Sequence, residues 1–205
     1  MSESNITLFH EQLLRYAQEH DDSQRKEIEQ LLWDKFGETI TVLIVDLSGF
    51  TKLTERYGVV HYLSMVRRMQ LTATPIITNY NGEIVKFEAD NVFARFASPG
   101  NAVRAAISLN MAFDSANLLT PEVLDVHISC GIAHGGCLIP KHNDFFGAAV
   151  NAASKLGEDL GTAGSILITE EAAALIPKSL EIDTELSNTK IPGSDAKVFS
   201  VIYRR

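Results

Sequence analysis

At 205 residues and 45% hydrophobic content, the chain can form one sizeable globular domain plus a short extension. Eighteen basic residues stand against 26 acidic ones, a net charge of −8, which argues against a broad nucleic-acid or anionic-membrane surface and allows only a local basic pocket. Two cysteines, Cys130 and Cys137, make no disulfide framework, no stretch is apolar enough to span a bilayer, and MSESNITLFHEQ has no signal-peptide pattern, so the cytoplasm is the expected compartment.

Residues 1–38 are polar with apolar residues at helical spacing: Leu13, Leu14, Tyr16 and Ala17, then Ile28, Leu31, Leu32 and Phe36. Asp21-Asp22-Ser23 interrupts them and supplies a cap, so two short amphipathic helices are expected, as a lid, a dimerisation appendage or simple cover for the domain. The chain then changes character at TVLIVDLSGFT, residues 41–51. Val42 to Val45 is an unbroken apolar run of the kind buried on both faces of a sheet, and it stops at Asp46. A carboxylate there needs a cation or hydrogen bonds; otherwise it merely caps a turn. Gly49 permits backbone N–H groups to crowd toward a ligand, and a helix should follow.

Val59, Leu63, Val66, Met69, Ala73, Ile76, Ile77 and Tyr80 recur at helical spacing, with Pro75 expected to kink or divide the helix. In EIVKFEADNVFARF two strand-like runs flank Glu88-Ala89-Asp90-Asn91, a hairpin with Asp90 at or beside its tip. Lys86, just before it, reads most simply as an edge-strand lysine. Ser98-Pro99 opens another helix. Leu124, Val126, Ile128, Cys130 and Ile132 alternate as a strand, which makes Cys130 a buried, inert thiol. Gly131, Gly135 and Gly136 mark close backbone approach. LIPKHND reads as a loop, Ala148–Gly157 as a helix with Asn151 and Lys155 on one face, and 165–169 and 197–203 as strands. His134 and His142 have no common zinc spacing.

If the strands ending at Asp46 and at the hairpin pair up, the two carboxylates suit a pair of divalent ions of the kind that run phosphoryl chemistry. In order and spacing, VDLSGFTKL, KFEADNVFARF, SCGIAHGG and DFFGAAVNAASKL resemble the class III adenylyl/guanylyl cyclase catalytic domain. The resemblance runs from about Thr41 to the last strand. It implies an α/β sandwich with a ferredoxin-like βαββαβ core and a mostly antiparallel sheet in residues 39–205, with 1–38 as a helical extension.

The same resemblance assigns roles. Asp46 and Asp90 match the metal aspartates, with the Leu47 carbonyl beside them, for two divalent cations, Mg²⁺ or Mn²⁺. Ser48, Gly49, Phe50 and Thr51 match the triphosphate cradle. Lys86 and Asp144 match the pair that reads adenine, lysine donating and aspartate accepting. Asn151 matches the ribose-orienting residue, and Lys155 stands where the family has a transition-state arginine. Lys190 is a loose counterpart of a phosphate-binding lysine. The implied activity is conversion of ATP to 3′,5′-cyclic AMP and pyrophosphate in a homodimer, with no nucleic-acid or membrane partner. The alternatives are a cyclase for guanine or a pyrimidine, or a degenerate domain that binds nucleotide without turnover. Three features depart from the pattern: Lys155 itself, Glu88-Ala89 where an apolar residue and glycine are usual, and a shortened link between Gly135 and Asp144.

Overall fold

The computed structural model describes residues 3–141 and 143–203, with the backbone alone at residues 3, 4 and 50–53. Strand β1, Gly37–Leu47, is the axis of the fold, and Val42, Leu43, Ile44 and Val45 are all fully buried. It pairs antiparallel with β3, Asn91–Phe96, on one side and with β4, Ile128–Lys141, on the other. Strand β2, Gly82–Glu88, lies outside β3 at the sheet edge. Strand β6, Ile166–Thr169, runs parallel to β4, followed by β8, Val198–Ile202, and β7, Asp183–Leu186. A three-residue strand β5, Asp144–Phe146, folds back on β4. Every pairing but β4–β6 is antiparallel, and the central order β2-β3-β1-β4 is the expected ferredoxin-like core.

Alternation along β1 separates the two faces. Leu43, Val45 and Leu47 point to helices α4, Val59–Asn79, and α5, Pro99–Asn117, where Met69, Ala73, Ile77, Val103, Ala106 and Leu109 complete the larger core. Ile40, Val42 and Ile44 point the other way and pack with Ala149 and Ala153 of α6, Ala148–Ser154. The same alternation puts Asp46 on the α6 face. Helix α6 crosses the sheet at close range because Gly131 has no side chain: a Cβ there would lie 2.0 Å from the Ala153 carbonyl oxygen. Gly136 is approached too, by the Trp33 ring, whereas Gly135 has only ordinary contact with Ala149.

Several expectations are corrected. Pro75 does not divide α4, which runs through it; Leu71 and Pro75 are both exposed, so water can take the Leu71 carbonyl that loses its helical donor. The stretch Glu122–Leu124 is a 3₁₀ turn, so Leu124 and Val126 precede the strand rather than belong to it. LIPKHND is not a loop throughout: β4 continues to Lys141 and pairs with β5. Cys130 and Cys137 are buried free thiols; burial pushes Cys130 far up and Cys137 up to about 11. His142 lies outside the described residues. No helix among the described residues is long and apolar enough to cross a membrane.

Residues ahead of β1 form α1, Glu3–Gln18, and α2, Asp22–Phe36. Asp21 caps α2, its carboxylate accepting from the Ser23 N–H at 2.7 Å. Phe9, Ile28, Leu32 and Phe36 form their own small core, with Leu138 of β4 packed against it.

Candidate functional site

The pairing of β1 with β3 sets Asp46 opposite Asn91, and with β4 opposite Ser129. Asp90 immediately precedes Asn91, in the two-residue turn between β2 and β3, so the register brings the two aspartates to one end of the sheet. Ala89, standing where glycine is usual, enables that turn by taking φ 51°, a left-handed conformation costly for alanine. Asp90 is buried, and its Oδ2 is buried without a hydrogen-bond partner. Asp46 is pushed up to about 7, chiefly by burial, then by the charges of Asp90 and Glu158, against the Leu47 N–H bond that favours its anion. Burial likewise raises Asp90. Two acids that resist ionising together, one with an orphaned buried oxygen, form a donor pair suited to hard divalent cations. Among the described residues no three His, Cys, Asp or Glu side chains gather as a ready cage, so water, a carbonyl or phosphate must complete any coordination.

The turn after Asp46 is built as its glycine suggests. Gly49 has φ 76°, and the space a Cβ would take there is open. The Ser48 N–H donates to the His127 carbonyl at 2.8 Å, and the Ser48 hydroxyl to Ser129 Oγ at 3.4 Å. Helix α3, Phe50–Tyr57, starts at the next residue; the side chains of Phe50 and Thr51 lie outside the described residues.

Lys86 and Asp144 meet, with Nζ 3.4 Å from Oδ1, although Lys86 also lies on the edge strand as the simpler reading holds. Its nearer partner is Glu88 at 2.9 Å, and that hydrogen bond comes first among the influences raising the Lys86 pKa. Its ammonium also stands 4.9 Å from the Phe93 ring centre. Asp144 additionally accepts from the Phe145 N–H at 3.1 Å.

Asn151 and Lys155 line one cavity of about 410 Å³, with His134–Gly136 of β4 and residues Ile191–Ser194 on its other walls. Lys155 opens a π turn, Lys155–Asp159, and donates to the Pro192 carbonyl at 3.0 Å. Asp46, Asp90, Lys86 and Asp144 do not line this cavity. Lys190 is exposed, one residue before Ile191 of the cavity wall. His134, on the cavity wall, has its Nδ1 2.9 Å from the buried Thr41 hydroxyl.

The family model for the adenylate and guanylate cyclase catalytic domain matches residues 34–202. This chain is a class III cyclase domain. Among curated relatives, a Streptomyces coelicolor adenylate cyclase is 31% identical over 119 residues, 57% of this chain and 29% of that protein. An uncharacterized Mycobacterium tuberculosis protein is 27% identical over 139 residues, 68% of this chain and 35% of that protein. The cyclase domain thus spans about a third of the length of these relatives. Among solved structures, the adenylyl cyclase CyaB from P. aeruginosa superposes with a TM-score of 0.70 at 24% identity, covering 82% of this chain and 96% of that one. The catalytic core of a rhodopsin-guanylyl cyclase with converted specificity, in complex with ATPαS, gives 0.69 at 20% identity, covering 82% and 97%. These likenesses show the fold.

The sequence reading passed over Glu158. Its carboxyl is raised mainly by burial, with Ser154 donating to it and Asp90 and Glu88 repelling it. The signal was present: it follows Asn151 and Lys155 at helical spacing of seven and three residues. Glu88 as the closer partner of Lys86 was also passed over, although the two stand two residues apart and so share a face of β2.

Proposed function

We propose that the domain is an adenylyl cyclase that converts ATP to 3′,5′-cyclic AMP and pyrophosphate in the cytoplasm, with two divalent cations, Mg²⁺ or Mn²⁺, at sites shared by two copies of the chain. The observation that carries this reading is the pair of aspartates at one end of the sheet, Asp46 half-buried at the end of β1 and Asp90 buried in the β2–β3 turn with an unpartnered oxygen, within a cyclase fold. Bound between them, the cations would activate the ribose 3′ hydroxyl and neutralise the polyphosphate.

The chain's own groups supply the rest. The 3′ oxygen bonds to the α-phosphorus as the bond to pyrophosphate breaks, and the hydroxyl proton leaves to solvent. Lys86 donates to the adenine ring nitrogen and Asp144 accepts from the exocyclic amine; their 3.4 Å separation sets a donor beside an acceptor, which suits adenine and opposes guanine. Asn151 orients the ribose. Lys155 faces the charge that grows on the phosphate; one N–H goes to Pro192 and two remain for oxygen. Ser48, Gly49 and the backbone at Phe50 and Thr51 cradle the triphosphate, with Lys190 at its far end and the Leu47 carbonyl near the metals. Sharing between copies is what the cyclase family layout implies, and it fits a chain in which Asn151 and Lys155 open into a cavity that neither aspartate lines.

The test mixes Asp46→Ala and Lys155→Ala protomers, each inactive alone. Random exchange makes about half the dimers mixed, with one whole site of two, so cyclic AMP formation should recover to about a quarter of the parent rate. Exchange demonstrated by pull-down without recovered activity overturns the shared site.

A further inference from the structure

We propose that the α1–α2 pair is a brace that positions Asp144, acting through a ring stack between Phe9 and Phe146. The proposal rests on the reading of Asp144 as a base contact.

Strand β5, which carries Asp144, is three residues long and pairs only with β4, at Leu138↔Phe146 and Lys141↔Asp144, with an irregularity between the two pairs. So short a strand on one neighbour is held more by its side chains than by its ladder, and those side chains set where Asp144 stands. Phe145 plugs inward, 4% exposed, against Phe93. Phe146 emerges on the opposite side and meets Phe9, ring centres 6.2 Å apart and planes 15° from parallel. Phe9 is itself buried and meets Phe36 edge-on at 5.2 Å, and Phe36 is the residue before β1 begins. The rings therefore run continuously from β5 to the root of the central strand.

A second contact reaches the other half of the site. Trp33 of α2 lies over Gly136, where a Cβ would sit 3.3 Å from the indole, and Gly136 lines the cavity that holds Asn151 and Lys155. The brace thus touches the segment bearing the base contact and the wall of the Lys155 cavity. Its effect is to fix where Asp144 stands relative to Lys86.

The full-length chain tests this with Phe146→Ala. Phe146 is 47% exposed, so its loss spares the core, whereas Phe9→Ala risks unfolding the helices. Hydrogen exchange is followed over residues 138–146, and affinity is measured for a non-cyclisable ATP analogue and for inorganic tripolyphosphate. Expected are faster exchange in that segment and about two- to tenfold weaker analogue binding, the range of an aromatic pair, with tripolyphosphate affinity unchanged. Phe146→Tyr, which keeps the ring, should match the parent. By reciprocity the analogue should also shield Trp33, the chain's one tryptophan, from acrylamide quenching. Unchanged exchange, or equal weakening of analogue and tripolyphosphate, overturns the brace. A parent that binds the analogue but forms no cyclic AMP overturns the cyclase reading alone, and the exchange and affinity results still decide the brace.

Discussion

Replacing Asp46 by Asn should make the metal-free protein more stable at pH 8 while ending turnover. In the folded chain the Asp46 carboxyl titrates at about 7, against 3.8 when free, because it is largely buried and faces Asp90. A raised folded-state pKa means the native state holds its proton longer than the unfolded chain does. Its contribution is intact below about pH 4, declines as pH rises, and is gone above about 7. A shift of about three units corresponds to at most about 4 kcal/mol, and partial exposure and screening reduce it to roughly half. Asn removes the ionisation, so Asp46→Asn should gain about 2 kcal/mol at pH 8, a rise in Tm of about 4–8 °C for a chain of this length. At pH 4.5 the gain should be small. Mn²⁺ should raise the parent's Tm at pH 8 and leave the variant's unchanged. Thermal unfolding at both pH values, with and without Mn²⁺, decides it. An Asn variant no more stable than the parent at pH 8, or equally stabilised at both pH values, refutes the electrostatic account of the site.

Three further outcomes are expected. Lys86→Glu should weaken ATP use at least tenfold while leaving affinity for tripolyphosphate intact, measured by steady-state kinetics and calorimetry; equal ATP use would make the Lys86–Asp144 pair structural. Lys155→Ala should lower kcat about a hundredfold or more with little change in KM, and Lys155→Arg should keep or raise activity because its fork suits phosphate better; a harmless Ala variant removes Lys155 from catalysis. Ala89→Gly should raise stability by up to about 1 kcal/mol, since φ 51° strains alanine, and a denaturant midpoint that falls instead contradicts the turn geometry.

Where burial is two-sided or strictly alternating, the chain announces its structure. Val42–Val45 reads as a central strand because nothing polar interrupts it, and Asp46 stands out for that reason. The hairpin at Asp90 was legible from its turn residues. The continuation of β4 was hidden because Gly135, Gly136 and Pro140 break the alternation, and its partner β5 is only three residues long. Strand β7 was missed because all its residues are exposed, which leaves no periodicity to read. Pro75 leaves α4 undivided because its side of the helix faces water, which a local rule about proline does not see. At the site, residue types told which groups were chemical. They did not tell which partner each would choose: the Glu88 contact of Lys86 is local, two residues along one strand, while the Pro192 contact of Lys155 emerged only from tertiary packing.

The most direct test of the central claim is to incubate the purified protein and Mn²⁺ with ATP, GTP, CTP and UTP separately and to identify the products by mass spectrometry. The account predicts 3′,5′-cyclic AMP and pyrophosphate from ATP, abolished in Asp46→Asn and in Asp90→Asn. A cyclic product from another nucleotide in preference to ATP, or nucleotide binding without any cyclic product, contradicts it.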